Sequence, residues 1–503
     1  MNDPTVLAAV DLGSNSFRLE IGRLDHGQIR SIEYLKETVR QGSGLDADRN
    51  LSDEAMQRGW QCLARFSERL AGFRKRQVRA VATQTMREAR NRDVFLKKAH
   101  EILGFPIDVI SGHEEARLIY GGVAHGLPQS DERRLVVDIG GRSTELILGA
   151  GYLPREMASF RVGSVASSMR FFAQGEFTEA AFAAAEVAAS AVFDEAQHTF
   201  RRSQWDAAYG SSGTAGAVAD VLTLTGRPPG RIDRDGLAWL KRSLLAARSV
   251  DRVRIEGIRD DRKAVIGGGV AVLTAVFDLL DIDHMQAATG ALRHGVLYDL
   301  IDREHDATDV RGLSVERLAR RFGVDREQAR RVAAVASLLW EQLPPIGADA
   351  QRQHRKLGWA AQLHEIGSIV SHADQHKHGA YIIDNVDAAG FAQPELHRLS
   401  QLVLGHRGKL KKLDLDFDDE ACVRQLLCLR LAVILCHARR EPDLAGLSFD
   451  QAARRFDLRM RRDWRAAYPQ SAYLLTEESQ AWQKTPWRFE FSEAQQAPGA
   501  GGK

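Results

Sequence analysis

VDLGSNSFRL (Val10–Leu19) and VDIGGRSTEL (Val137–Leu146) decide how this chain reads. Each opens on an apolar run that ends in Asp-x-Gly. The strand so implied carries a carboxylate, Asp11 or Asp138, to its end. The glycine after it, Gly13 or Gly140, lets the backbone bend until its N–H groups face a phosphate. Ser14, Asn15 and Ser16 add neutral donors to the first turn, and Gly141, Arg142, Ser143 and Thr144 complete the second. A third glycine turn, Gly210-Ser211-Ser212-Gly213-Thr214, sits between a strand and a helix whose free N–H groups suit an anion. Two turns of one grammar imply two grips on a phosphoanhydride chain.

Working outward, residues 6–35 alternate short apolar runs with turn signals, the pattern of a strand meander. Ser52–Ala71 has helical spacing with Ser52 as N-cap, VRAVATQT reads as a strand, Asn91–Leu103 as a helix, PIDVIS as a strand and GHEEARLIYGGV as a helix. The order then restarts. LVVDIGG, STELILGAG and EMASFRVG repeat the meander, and an alanine-rich helix follows over Thr178–Phe200. WDAAYGSSGTAGAVADVL and HMQAATGALRHGVLYDLI each read as strand, glycine turn and helix, with the helix DRKAVIGGGVAVLTAVFDLL between them. From about Glu304 the chain turns to successive helices, with seven histidines between His354 and His406. The predicted divisions are 1–126, 127–303, a helical domain 304–470, and a small segment 471–503 with a possible strand WRFEFS and a disordered tail.

At 503 residues the chain exceeds a single core, since domains hold about 100–200 residues. Its net charge of +2 advertises no polyanionic partner, so nucleic acid is not expected and any attraction must be local. Six arginines between Arg454 and Arg465 form one local patch, for which a solvated helical face is one reading. Cys62, Cys422, Cys428 and Cys436 fit no disulfide framework and read as core residues of a reducing compartment. No basic leader precedes an apolar stretch, and Ala264–Phe277 falls short of the ~20 residues a membrane span needs. The expectation is a soluble cytoplasmic protein.

Carboxylates beside phosphates repel unless a cation lies between them. Asp138 and Glu145, with Asp11, are therefore read as ligands of Mg²⁺, which is held by one or two carboxylates plus phosphate oxygens. Hydrolysis also needs a base to orient or deprotonate water. Glu114 and Glu115 both qualify, because neighbouring helical residues point about 100° apart and one of the two can face the cleft. Arg87, just after a strand, is a candidate phosphate clamp.

AAVDLGSNSFRL, ATQTMREARN, VISGHEEARLI, LVVDIGGRSTELILG, GSSGTAG and TGALRHGVLYD, in this order, resemble the exopolyphosphatase/pppGpp phosphohydrolase (Ppx/GppA) family. The likeness spans about residues 6–300 and continues more loosely beyond. It implies two ribonuclease-H-like subdomains of the actin and sugar-kinase superfamily, then an all-α HD-like domain. It also implies Mg²⁺-dependent release of terminal phosphate from polyphosphate or pppGpp, and a homodimer. The base position of the SGxEEA motif falls on Glu115, the metal and phosphate acids on Asp138 and Glu145, and the clamp arginine on Arg87.

WAAQLHEIGSIVSHADQHKHGAYII is similar to the HD-like domain of longer members. His364-Glu365 stands where HD phosphohydrolases have His-Asp, so a structural relic is expected there. His406, Arg407, Lys409, Lys411 and Lys412 are read as a path for a long polyanion. The departures are Arg142 for the third glycine of the second turn, Thr289 for a frequent Asp and His294 for a frequent Glu. With φ > 0, Arg142 would cost about 1–2 kcal/mol; with negative φ its guanidinium could reach the substrate. The first-choice expectation is a processive exopolyphosphatase. The alternatives are a pppGpp 5'-phosphohydrolase, a superfamily kinase, which needs an acceptor-hydroxyl site, and a non-catalytic sensor.

Overall fold

Val6–Leu12 (β1), Phe17–Asp25 (β2) and Gln28–Glu37 (β3) form the expected meander, with the apolar β1 buried and β3 at the polar edge. The computed structural model describes residues 6–303, 308–347 and 349–493, and the chain divides into two units, Met1–Asp309 and Val310–Lys503. In the first unit Val78–Ala82 (β4) pairs with β1 in parallel and Ile107–Val109 (β5) follows, giving the order β3-β2-β1-β4-β5. Its helices are Asp53–Arg69 (α1), Gln84–Glu88 (α2), Arg92–Leu103 (α3) and Gly112–His125 (α4). Ser52 and Ser111 start α1 and α4 by accepting the N–H of Ala55 at 3.3 Å and of Glu114 at 3.1 Å.

The second half repeats this order. Arg133–Ile139 (β6), Thr144–Ala150 (β7), Leu153–Phe160 (β8), Ala207–Ser211 (β9), Arg231–Asp233 (β10) and His284–Ala287 (β11) form a sheet β10-β11-β9-β6-β7-β8. Its helices are Ser164–Phe171 (α5), Glu179–Phe193 (α6), Ser212–Leu224 (α7), Arg234–Ala247 (α8), Asp260–Leu279 (α9) and Leu292–Asp302 (α10). The α6 helix ends at Phe193, short of the predicted Phe200, and Asp194 sits at its carbonyl end, where an acid is unfavourable. β10 and α8 lay unread in the sequence. α10 returns against α4 at backbone contact: a Cβ on Gly295 would lie 1.8 Å from the Leu118 carbonyl, and one on Gly122 2.2 Å from that of Ala291. One apolar core, including Ala9, Val81, Ile119, Ile147 and Val296, therefore joins both halves.

The second unit holds Val310–Arg321 (α11), Arg326–Gln342 (α12), Ala350–Leu363 (α13), Gln375–Asn385 (α14), Gln393–Gly405 (α15), Glu420–Leu435 (α16), Trp464–Ala467 (α17) and Pro469–Trp482 (α18). It is not all-α. Ser448–Ala452 (β12), Arg455–Met460 (β13) and Arg488–Glu493 (β14), the last within WRFEFS, make a three-stranded sheet. The arginine patch is thus no helical face: Phe456, Leu458 and Met460 are fully buried at every second position, and Arg455 pairs with Asp457 and Glu490. All four cysteines are buried and unpaired. Among the described residues no helix is long and apolar enough to cross a membrane. The expected disordered tail lies outside them.

Candidate active site

The end of β1 and the end of β6 open on one cleft of about 440 Å³, lined by Gly13–Ser16 on one wall and by Gly140, Gly141 and Ser143 on the other. The Gly140 and Gly141 carbonyls accept from Ser164 and Val165 at 2.9 and 2.8 Å, which anchors the second turn on the start of α5. Ser212 takes φ +64° at the start of α7, so Ser212 and Gly213 line the same cleft. Asn15 Nδ2 and Ser16 Oγ are buried without a partner among the described residues, leaving their polar capacity for a ligand.

Four carboxylates gather at the floor. Asp138 and Glu145 are directly opposite on β6 and β7, and Asp11 has the matching place on β1 opposite Arg18 of β2. Asp11 accepts from Arg18 Nη1 at 3.0 Å on one oxygen, while its other oxygen is buried and unpartnered. Glu145 accepts from Ser159 Oγ at 2.8 Å and lies behind the cleft surface. Burial, reinforced by Asp138 and Asp11 and opposed by Arg87, pushes the Glu115 carboxyl up to about 7. Burial and then Glu115 and Asp138 raise Glu145 well above the usual carboxylate range, and burial raises Asp138. Such a cluster suits a bound cation. Asp138 and Asp11 are the cleft carboxylates that could hold one with ligand oxygens; among the described residues no three His, Cys, Asp or Glu converge as a full ligand set.

The two glutamates at the start of α4 part company. Glu115 lines the cleft and accepts from Arg87 Nη1 at 2.8 Å. Glu114, fully buried, turns the other way, accepting from Arg117 at 2.7 and 2.9 Å and from Arg79 at 3.4 Å. Both arginines also bond Asp299 of α10, which Arg303 reaches at 2.5 Å. This network fixes the helix that presents Glu115.

The cleft lining also carries five cations, Arg18, Lys36, Arg259, Arg262 and Arg293, together with Tyr34. Lys36 pairs with Asp261 at 3.1 Å and Arg293 with Glu20 at 3.0 Å; Arg259 and Arg262 form no carboxylate ion pair among the described residues, though Asp261 is near enough to favour the charge on Arg262. Burial, then Arg18, lowers the Arg262 pKa. Its guanidinium lies over Gly213, where a Cβ would meet it at 1.9 Å, at the positive end of α7. Sequence reasoning missed this set. Arg18 lay inside the quoted VDLGSNSFRL stretch without a role, and Arg259 and Arg262 carried no motif.

Several predicted residues fall elsewhere. Arg142 has negative φ, and its guanidinium is engaged by Glu88 of α2 and the Gly42 carbonyl rather than lining the cleft. Thr144 is buried and donates to the Val162 carbonyl at 2.6 Å. Thr289 lines the cleft, while His294 Nδ1 accepts the Ala291 N–H at 3.1 Å and caps α10. In the other unit Arg407, Lys409, Lys411 and Lys412 are exposed, but His406 is buried with Nδ1 on the Val403 carbonyl and leaves the polyanion path. Glu365 pairs with Arg439.

A model of the Ppx/GppA phosphatase family matches residues 21–304, and one of that family's domain III matches residues 310–479. The guanosine-5'-triphosphate,3'-diphosphate pyrophosphatases of Pseudoalteromonas translucida (strain TAC 125) and Vibrio atlanticus (strain LGP32) are each 36% identical, over 96% and 95% of this chain and 98% and 96% of their own. Among solved structures, an exopolyphosphatase-like protein is 26% identical with a TM-score of 0.55, covering 59% of this chain and 98% of its own. The Aquifex aeolicus member of the Ppx/GppA family is 24% identical with a TM-score of 0.51, covering 60% and 99%.

Proposed function

Because the chain belongs to the Ppx/GppA phosphatase family of phosphoanhydride hydrolases, we propose that it removes the terminal 5'-phosphate of guanosine 5'-triphosphate 3'-diphosphate. This reading takes the place of long-chain polyphosphate as first-choice substrate. It is supported by relatives of that name, 36% identical over nearly the whole chain, whereas the exopolyphosphatase-like structure covers 59%. The observation that carries it is Arg262. A guanidinium with no carboxylate ion pair among the described residues, held over the positive end of α7, favours an anion there in addition to the one at the carboxylate floor. A nucleotide with phosphates on both its 5' and 3' oxygens brings two separate anionic groups, one for the carboxylate floor and one for Arg262.

In the proposed reaction Glu115 takes a proton from water as the water oxygen bonds to the terminal phosphorus. The bond from that phosphorus to the bridging oxygen breaks, its electrons pass to the departing diphosphate, and the products are orthophosphate and guanosine 5'-diphosphate 3'-diphosphate. Arg87 orients the Glu115 carboxylate, and the Gly13–Ser16 and Gly140–Ser143 turns position the phosphoryl oxygens. Asp138 and Asp11 would hold Mg²⁺, which supplies neutralisation of phosphate charge when bound.

Steady-state phosphate release from the nucleotide and from long-chain polyphosphate tests the assignment. A higher kcat/KM for the nucleotide is expected, and the reverse order would overturn it. Glu115→Gln is expected to lower kcat by about 10²–10⁴ while nucleotide binding persists. Retained turnover in that variant would remove Glu115 from the reaction, and a wild-type protein that binds without releasing phosphate would return the sensor reading.

A further inference from the structure

A hydrogen-bonded chain runs from one half of the first unit to the other and ends on the Arg87–Glu115 pair. Arg142, on the second phosphate turn, donates from Nε and Nη2 to Glu88 Oε2 at 3.1 and 2.8 Å. It also donates from Nη1 to the Gly42 carbonyl at 3.0 Å. Glu88 Oε1 accepts from Gln84 Nε2 at 2.6 Å, and Gln84 Oε1 accepts from Arg87 Nε and Nη2 at 2.9 and 2.7 Å. Arg87 completes the chain on Glu115.

The direction of these bonds is set by chemistry. Gln84 must turn its oxygen to Arg87 and its amide nitrogen to Glu88, because a guanidinium only donates and a carboxylate only accepts. Glu88 is 13% exposed in its side chain, so its charge needs a cation. Two candidates are near: Arg142 across the cleft, and Arg87 one residue before it on the short helix α2. If Arg142 were absent, Glu88 and Glu115 would compete for one guanidinium.

We infer that Arg142 is a positioning residue that neutralises Glu88 and so reserves Arg87 for Glu115. Glu88 and Arg142 belong to opposite halves, so the reservation holds only while the two phosphate turns stand at this separation. The negative φ of Arg142 removes the backbone strain that a left-handed conformation would have imposed. The inference rests on the reading of Glu115 as the base.

Arg142→Ala is the test. It is expected to lower kcat about tenfold with KM changed by less than about twofold, and Arg142→Lys is expected to recover most of the loss. The deciding variant adds Glu88→Gln to Arg142→Ala, which removes the competing charge and restores kcat. A purely structural role for Arg142 predicts no such rescue, so a double variant as slow as the single one overturns the inference, as does a single variant with wild-type kcat. Amide exchange across Gln84–Glu88 separates this outcome from failure of the proposed reaction. Faster exchange in Arg142→Ala supports the chain of bonds even in a protein that hydrolyses neither substrate, and unchanged exchange overturns it.

Discussion

Glu115 needs its proton absent to act as a base, and burial holds that proton on to about pH 7 in the free protein. The kcat/KM profile is therefore expected to fall on the acid side of about pH 7, not near the ordinary glutamate value of about 4.3. An acid limb near pH 4 would show that Glu115 is not the titrating base. At the start of α7, Gly213→Ala puts a methyl group into the Arg262 guanidinium, and the expected result is a several-fold rise in nucleotide KM with kcat little changed. At this scale the sequence was half legible. Asp11, Asp138 and the turn residues announce themselves because strand-Asp-x-Gly is a local pattern. The roles of Arg142 and His406 depend on Glu88 and Val403, and no local pattern says whether a polar side chain turns toward solvent, a ligand or a carbonyl.

α4 owes its position to α10, through backbone contact at Gly122 and Gly295 and through the Glu114, Arg79, Arg117 and Asp299 network. Asp299→Asn is expected to cost about 3–5 kcal/mol, because it leaves buried guanidiniums short of a counter-charge. The arginines hold the Asp299 pKa below its ordinary value, so this stabilisation is full above about pH 4 and is lost as the pH falls further. Urea midpoints at several pH values measure both. Glu145 behaves oppositely. Its pKa is raised by burial and by its neighbours, so ionising it costs stability as the pH climbs above the unfolded value. Glu145→Gln is expected to raise the melting temperature of the metal-free protein by about 2–4 °C at pH 8 and to have no such effect near pH 4. The meanders and capped helices were readable element by element. β13 was not, because its arginines mask a two-residue apolar alternation, and β10 is only three residues long.

Every residue assigned to the reaction lies between Asp11 and Arg262, inside the first unit. A chain ended after Asp309 is therefore expected to fold and to keep nucleotide hydrolysis, as far-ultraviolet circular dichroism and phosphate release would register. Loss of both would make the first unit dependent on the second. The near-neutral whole carries no field to draw in a polyanion, so any advantage with long chains must come from patches such as Arg407 and Lys409–Lys412. The two halves repeat one strand order, yet their matching rungs differ: Asp11 faces Arg18, and Asp138 faces Glu145. A perfectly repeated pair would offer a ligand two equal ways to lie. With arginine on one rung and glutamate on the other, the duplicated fold acquires a head and a tail, because only the first half sets a cation beside its strand-end aspartate.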